Sequence, residues 1–174
     1  MRAIAGHSGA SLGSIYYHFS SKEEILRELL SANFRRVIEA LRERLRAVPE
    51  PERRLRVFVD NHVHFFAGHL AEMRVMAHEL DTLEGSAGNE VAALRREYAD
   101  FLLRILGDLR PDLDDRELRI HSLCLSGLLN WTYPWSHAAE ADTAAAGIAQ
   151  RLPDPCRTAL LTGHPPRAPA PRAR

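Results

Sequence analysis

The sequence predicts an all-α protein, on three observations. Apolar residues recur with a period near 3.6 through most of the 174 residues, as on the buried stripe of an amphipathic helix. Helix-start signatures of the form S-x-x-E and D-x-x-E stand ahead of two of those stretches, at Ser21 and Asp114. No strand-like alternation of useful length and no internal repeat interrupts them. With 45% hydrophobic and 26% charged residues the chain can bury a core, which excludes disorder over the whole length.

The elements follow in order. In residues 1–22, Ala5, Gly9 and Ile15 hold the spacing of a helix-turn-helix: a small residue where two helices cross, a glycine for the tight turn, and an apolar anchor on the second helix. Ser11 stands at the N-cap of that second helix, LGSIYYHF. Ile15 and Phe19, four apart, face the core; Gly13, Ser14, Tyr17 and His18 then face away, with Tyr16 at the boundary. Small residues at the front of a helix let its backbone approach DNA in a major groove, and hydroxyls and a histidine reach bases and phosphates.

From Ile25 the apolar positions 25, 26, 29, 30, 34, 37, 38, 41 and 45 form one helical stripe, opened by the Ser21–Glu24 capping box and stopped by Pro49 and Pro51. A second stretch covers about 52–70 and a third about 71–82, and the glycine-containing run Glu84 to Asn89 reads as a loop. Val91 to Leu109 mark a long helix ended by Pro111. Asp114 with Glu117 caps another, through Leu118, His121, Leu125, Leu128 and Leu129, closed by Pro134. A short alanine-rich helix at about 139–152 precedes a proline-rich tail expected to be disordered.

A net charge of zero conceals a polarity: residues 1–46 carry +3, 47–150 carry −7 and 151–174 carry +4. A basic first segment on an acidic body suits a polyanion at one end. Two cysteines, at 124 and 156, build neither a disulfide framework nor a thiol metal site, and the absence of a secretory h-region or an apolar span points to a cytoplasmic protein with no membrane partner. Nine histidines raise a metal-responsive alternative. His62 and His69 share a helical face, but His64 points elsewhere, and the His78 segment lacks the second histidine of a zinc helix, having Thr82 there. No G-x-S-x-G occurs, and Glu79, Asp81 and Glu84 sit at a helix end where they meet water, so no catalytic residues, metal or cofactor are expected and the chain reads as a non-enzyme.

The stretch IAGHSGASLGSIYYHFSSKEEIL, residues 4–26, resembles the helix-turn-helix signature of TetR-family transcriptional regulators. It departs in Ser8, where alanine is usual, and Ala10, where valine is usual. The resemblance implies that Ser11, Gly13, Ser14, Tyr16, Tyr17 and His18 face an operator in double-stranded DNA, and that Lys22 meets a phosphate. Lys22 is the only lysine in a chain that otherwise uses arginine. The family's DNA-binding domain opens with a further bracing helix, so the resemblance implies that residues 1–46 hold that domain without its first helix, and that DNA binding by the chain as written is weak.

The same resemblance implies a helical effector-binding and dimerisation domain over 47–160, a tail over 161–174, and a homodimer placing two reading helices on a pseudo-palindromic site. The uncharged stretch Ile120 to Ala139 suits a subunit interface and a monomer's core helix equally. The string SGLLNWTYPWSH is similar to a segment in the branch that regulates steroid and fatty-acid catabolism, several members of which respond to acyl-coenzyme A thioesters. Carried over, this places Asn130, Trp131, Tyr133 and Trp135 near the end of a pocket-lining helix. Phe66, Met73, Met76, Tyr98 and Phe101 become the apolar walls, and Arg95 and Arg96 the partners of coenzyme phosphates. The expected function is a repressor released by a small apolar or acyl-coenzyme A-type ligand; the alternative is an all-α dimerising, ligand-binding protein that has lost DNA binding.

Overall fold

The computed structural model describes residues 11–69 and 85–131 and, between them, residues 72, 75, 76, 79 and 83. Five helices are described: α1 (Leu12–His18), α2 (Lys22–Leu45), α3 (Pro51–Ala67), α4 (Gly85–Leu109) and α5 (Asp115–Trp131). No strand occurs among the described residues. The turn centred on Gly9, the helix at 139–152 and the tail lie outside them.

Local chemistry sets the helix starts. Ser11 Oγ accepts the Ser14 amide at 3.0 Å and opens α1. Ser21 Oγ accepts the Glu24 amide at 3.1 Å at the front of α2. The return arm of that box lands one residue further out, because Glu24 Oε2 takes the Ser20 amide at 2.7 Å and its hydroxyl at 2.6 Å. At the front of α5 the box is reciprocal: the Glu117 amide donates to Asp114 Oδ1 at 2.8 Å, and the Asp114 amide to Glu117 Oε2 at 3.2 Å. α3 has no side-chain cap and starts on Pro51, whose missing N–H would be unpaired there in any case.

The expected loop at Glu84 to Asn89 is corrected. Residues 85–90 are the first turns of α4, and the glycines serve its entry. Gly85 has φ +64°, a left-handed conformation that turns the chain into the helix. A Cβ on Gly88 would stand 2.5 Å from the Leu83 carbonyl oxygen, so glycine there lets the first turn close against the preceding segment. In the expected third stretch, residues 72, 75, 76 and 79 are helical, and the others fall outside the described set.

α2 packs against both α3 and α4, which contact each other, and α5 packs against α4 and, less extensively, against α3. The α2 stripe is buried as its period requires: Leu26, Leu30, Phe34, Val37, Ile38, Leu41 and Leu45 all enter the core. They meet Leu55, Phe58, Val59 and Val63 of α3 and Leu102, Ile105 and Leu106 of α4. Leu125 and Leu129 complete the core from α5, whereas Leu128, expected inside, is exposed with Ile120 and Leu123.

Ion pairs edge these contacts. Glu90 of α4 receives Arg27 at 3.0 Å and Arg35 at 2.6 Å from α2. Arg42 pairs with Glu97, Arg44 with Asp60, and Arg54 reaches Asp108 at 3.4 Å.

Candidate nucleic-acid interface and effector region

α1 is seven residues long and is joined to α2 only through Phe19, Ser20 and Ser21. Capping fixes the α2 side of that joint, where Ser20, Ser21 and Glu24 hold the start of the helix, while Ser11 holds the far end of α1. The Ser20 hydroxyl and amide hold the Glu24 carboxyl below its usual range, so it is ionised where it caps. Phe19, within the joint, is half-buried, and the side chain of Ile15 lies outside the described set.

All six residues of α1 and its cap assigned to DNA, Ser11, Gly13, Ser14, Tyr16, Tyr17 and His18, are exposed. Tyr17 is 86% exposed and Tyr16 54%. Rings left that far in water are not packed against the core of the described residues. The Tyr17 and His18 rings meet edge to face at 5.1 Å, which restricts both. A Cβ on Gly13 would meet nothing nearer than Ser11 Oγ at 3.9 Å, so packing among the described residues does not require a glycine there. Lys22, the first residue of α2, is exposed and pairs with Glu79 at 3.6 Å.

The residues assigned to a ligand divide between two places. Phe66 and Tyr98 are buried and meet around His62: the His62 and Phe66 ring centroids are 4.6 Å apart, and Tyr98 lies 6.0 Å from His62 and 5.2 Å from Phe58. Met76 is half-buried against the same core. Phe101 lies apart, toward the edge, with the guanidinium of Arg104 at 4.9 Å and that of Arg42 at 5.9 Å from its ring. Arg95 and Arg96 are exposed on α4, and Asn130 is exposed near the end of α5. The backbone of Trp131 closes α5, while Met73, Tyr133 and Trp135 lie outside the described residues.

Sequence reasoning placed His62 on the periodic face of the 52–70 stretch and weighed it as a metal ligand beside His69, but did not assign it to the ligand site. The two separate: His62 is buried toward Tyr98, and His69 stacks on Phe65 at 4.3 Å and bonds its carbonyl oxygen. Among the described residues no group of three His, Cys, Asp or Glu is placed to hold a metal ion. Burial pushes the His62 imidazole down to about 3, so it is neutral, and pushes the Tyr98 hydroxyl up. The legible signal was the apolar helical face that His62 shares with Phe58 and Phe66 at four-residue intervals.

A surface groove of about 430 Å³ runs between α2 and α4, lined by Arg35, Ile38, Glu39, Arg42, Glu43, Arg46, Leu94 and Glu97. Its guanidiniums are paired within the chain, Arg35 to Glu90, Arg42 to Glu97 and Arg46 to Glu43. Among the described residues, no helix is long and apolar enough to cross a membrane.

Comparison with known proteins agrees with this architecture. No curated protein matches the chain by sequence. Among solved structures, a TetR-family transcriptional regulator from Bordetella parapertussis 12822 is 25% identical, with 91% of this chain and 81% of that one covered and a TM-score of 0.77. The fold is shared as well by FadR from Bacillus subtilis, solved with stearoyl-CoA (19% identity, 93% and 87% covered, TM-score 0.71). AibR, solved with isovaleryl coenzyme A and operator DNA, is 20% identical, with 84% and 83% covered and a TM-score of 0.71. Residues 1–29 match the family described as bacterial regulatory proteins, tetR family, and residues 48–139 match the tetracyclin repressor-like C-terminal domain. With both of its segments matched and its helices arranged in that fold, the chain belongs to the TetR family of transcriptional regulators.

Proposed function

We propose that the chain is a cytoplasmic, homodimeric, operator-binding repressor whose release is driven by a small apolar or acyl-coenzyme A-type ligand. The observation that carries the reading is the α1 face: two tyrosines, a histidine, two serines and a bare glycine presented to solvent on a short helix joined through Phe19, Ser20 and Ser21 to the core-forming α2. Tyr17, His18 and the serine hydroxyls would contact base edges and phosphates, and Lys22 a backbone phosphate. The exposed Ile120, Leu123 and Leu128 on α5 favour burial against a second copy. The stearoyl-CoA of FadR and the isovaleryl coenzyme A of AibR suggest the ligand class.

Ligand and operator would be coupled through α2, which begins at Lys22 beside the reading helix and continues into the core. A ligand that binds better to a core arrangement in which the reading helices no longer match successive grooves shifts the population toward release.

The test is fluorescence anisotropy on the DNA upstream of the chain's own gene, across a salt titration, for the chain as given and for a version extended to the next upstream start codon. Binding by either form that weakens steeply with salt and is reversed by stearoyl-CoA is the expected result. No salt-sensitive binding by either form would leave the dimerising, ligand-binding alternative.

A further inference from the structure

A hydrogen bond between α3 and α4 leads, within the core, to an atom without a partner among the described residues. Beside it, Asn61 Nδ2 on α3 donates to the Val37 carbonyl of α2 at 3.3 Å. The Tyr98 hydroxyl of α4 stands 3.2 Å from His62 Nδ1 on α3. A buried phenol O–H left without an acceptor is costly, and the Nδ1 lone pair is the acceptor within reach, so Tyr98 donates to Nδ1. With Nδ1 accepting, the neutral ring carries its hydrogen on Nε2. That atom is buried and unpartnered.

The direction of that hydrogen bond therefore defines what is missing: an acceptor. The rings around His62 are Phe58, Phe66 and Tyr98, none of them ionised. A carboxylate brought here would shed its hydration with no cation among those rings to meet it, whereas a carbonyl oxygen would not carry that cost. Asn33 adds a second unsatisfied group. Both of its amide atoms are buried without partners, and it lies one helical turn before Val37, on the α2 face that Asn61 touches.

We propose that His62 Nε2–H reads the neutral carbonyl oxygen of an otherwise apolar effector, an ester, thioester or ketone, inside the enclosure of Phe58, Phe66 and Tyr98. This rests on the ligand-responsive reading above and names the chemistry its ligand presents. Tyr98 is a positioning residue, because it fixes which ring nitrogen carries the hydrogen.

The experiment follows the His62 ring nitrogens by long-range proton–nitrogen correlation spectra, with binding measured by calorimetry. The probes are methyl octanoate, 2-nonanone, octanoate and nonane, and the proteins are the wild-type chain, His62→Gln, His62→Leu and Tyr98→Phe. The free wild-type chain should show a neutral ring protonated on Nε2. The ester and the ketone should shift that nitrogen and bind at least about tenfold tighter than nonane or octanoate. His62→Leu should lose about tenfold for the ester, His62→Gln should keep most of the affinity, and Tyr98→Phe should mix the ring tautomers. No shift at His62 with any probe, octanoate binding as tightly as the ester, or a His62→Leu variant indifferent to the carbonyl would each overturn the proposal. The two readings fail separately. If the ester shifts His62 but operator stays bound, the proposal stands and ligand-driven release falls; if stearoyl-CoA releases operator equally from His62→Leu and wild type, release stands and the proposal falls.

Discussion

Lys22 Nζ lies 3.6 Å from Glu79 Oε2, which ties the residue assigned to a DNA phosphate to the segment between α3 and α4. A lysine held by a carboxylate must exchange that partner for a phosphate when DNA binds. Both side chains are well exposed, 60% and 38%, so the pair is screened and its effect is modest. Glu79→Gln is expected to tighten operator binding about two- to fivefold at low salt, with the gain fading as salt rises. Anisotropy titrations of the variant and wild type on one operator check this, and unchanged affinity would mean that Lys22 does not approach phosphate.

Tyr17 tests the reading face itself. Because its side chain is 86% exposed, Tyr17→Ala should leave the thermal midpoint close to that of wild type. Loss of a base or phosphate contact would weaken operator binding by about 1–3 kcal/mol, or roughly 5- to 150-fold. Paired melting curves and binding isotherms separate the two effects. A fall in stability with no fall in affinity would make Tyr17 a packing residue.

How far the sequence could be read depends on the range of the interaction. Ser21 with Glu24 and Asp114 with Glu117 were legible because both partners of each cap lie within one turn; the Asp114 box closes reciprocally, while the Glu24 return arm goes to Ser20. The α2 stripe was legible because one helical period selects one buried face. Glu84 to Asn89 was misread because a glycine that supports a helix entry looks like a glycine in a loop until the Leu83 carbonyl is placed beside it. Tyr98 and Phe101, three apart on α4, were grouped as pocket walls by the family resemblance, yet one turns to His62 and the other to Arg42 and Arg104. Periodicity says which residues share a helix face; it does not say which neighbour covers each part of that face.

The entry of α4 supplies a paired prediction. Gly88→Ala places a methyl group 2.5 Å from the Leu83 carbonyl oxygen, a backbone atom that cannot swing aside, and should destabilise by about 1–3 kcal/mol. Gly107→Ala, in the same helix, meets only Leu118 Cδ1 at 3.9 Å and should stabilise by about 0.5–1 kcal/mol through helix propensity. Urea unfolding of both variants measures the difference. A stabilised Gly88→Ala would return residues 85–90 to a loop.

Glu90 sets a pH dependence. Its hydrogen bond to Arg27, and then the charges of Arg27 and Arg35, hold its carboxyl below the ordinary value of 4.5. A folded-state pKa below the unfolded one means that the stabilisation is fully present above pH 4.5 and is lost as the pH falls through the folded value. Thermal melts from pH 6 to about pH 3 should show the wild type losing its margin over Glu90→Gln as the solution is acidified. A margin that stays constant across that window would mean that the Arg27–Glu90–Arg35 group contributes nothing to α2–α4 docking.

On α5, Ser122, Leu125 and Leu129 face the core, while Leu123 is 73% exposed, Leu128 52% and Ile120 50%. Leu123 lies three residues from Ile120 and five from Leu128, so the three share a broad outward strip that also carries the exposed Cys124. A charge on that strip costs nothing in an isolated monomer and is costly in an interface. Leu123→Glu should therefore keep the helical signal and the thermal midpoint of a monomer while shifting the sedimentation coefficient from dimer to monomer. Leu125→Ala, on the inward face, should instead cost about 2–5 kcal/mol of stability. If Leu123→Glu sediments like wild type, the subunits meet elsewhere; if it also abolishes operator binding, two reading helices are needed to hold the site.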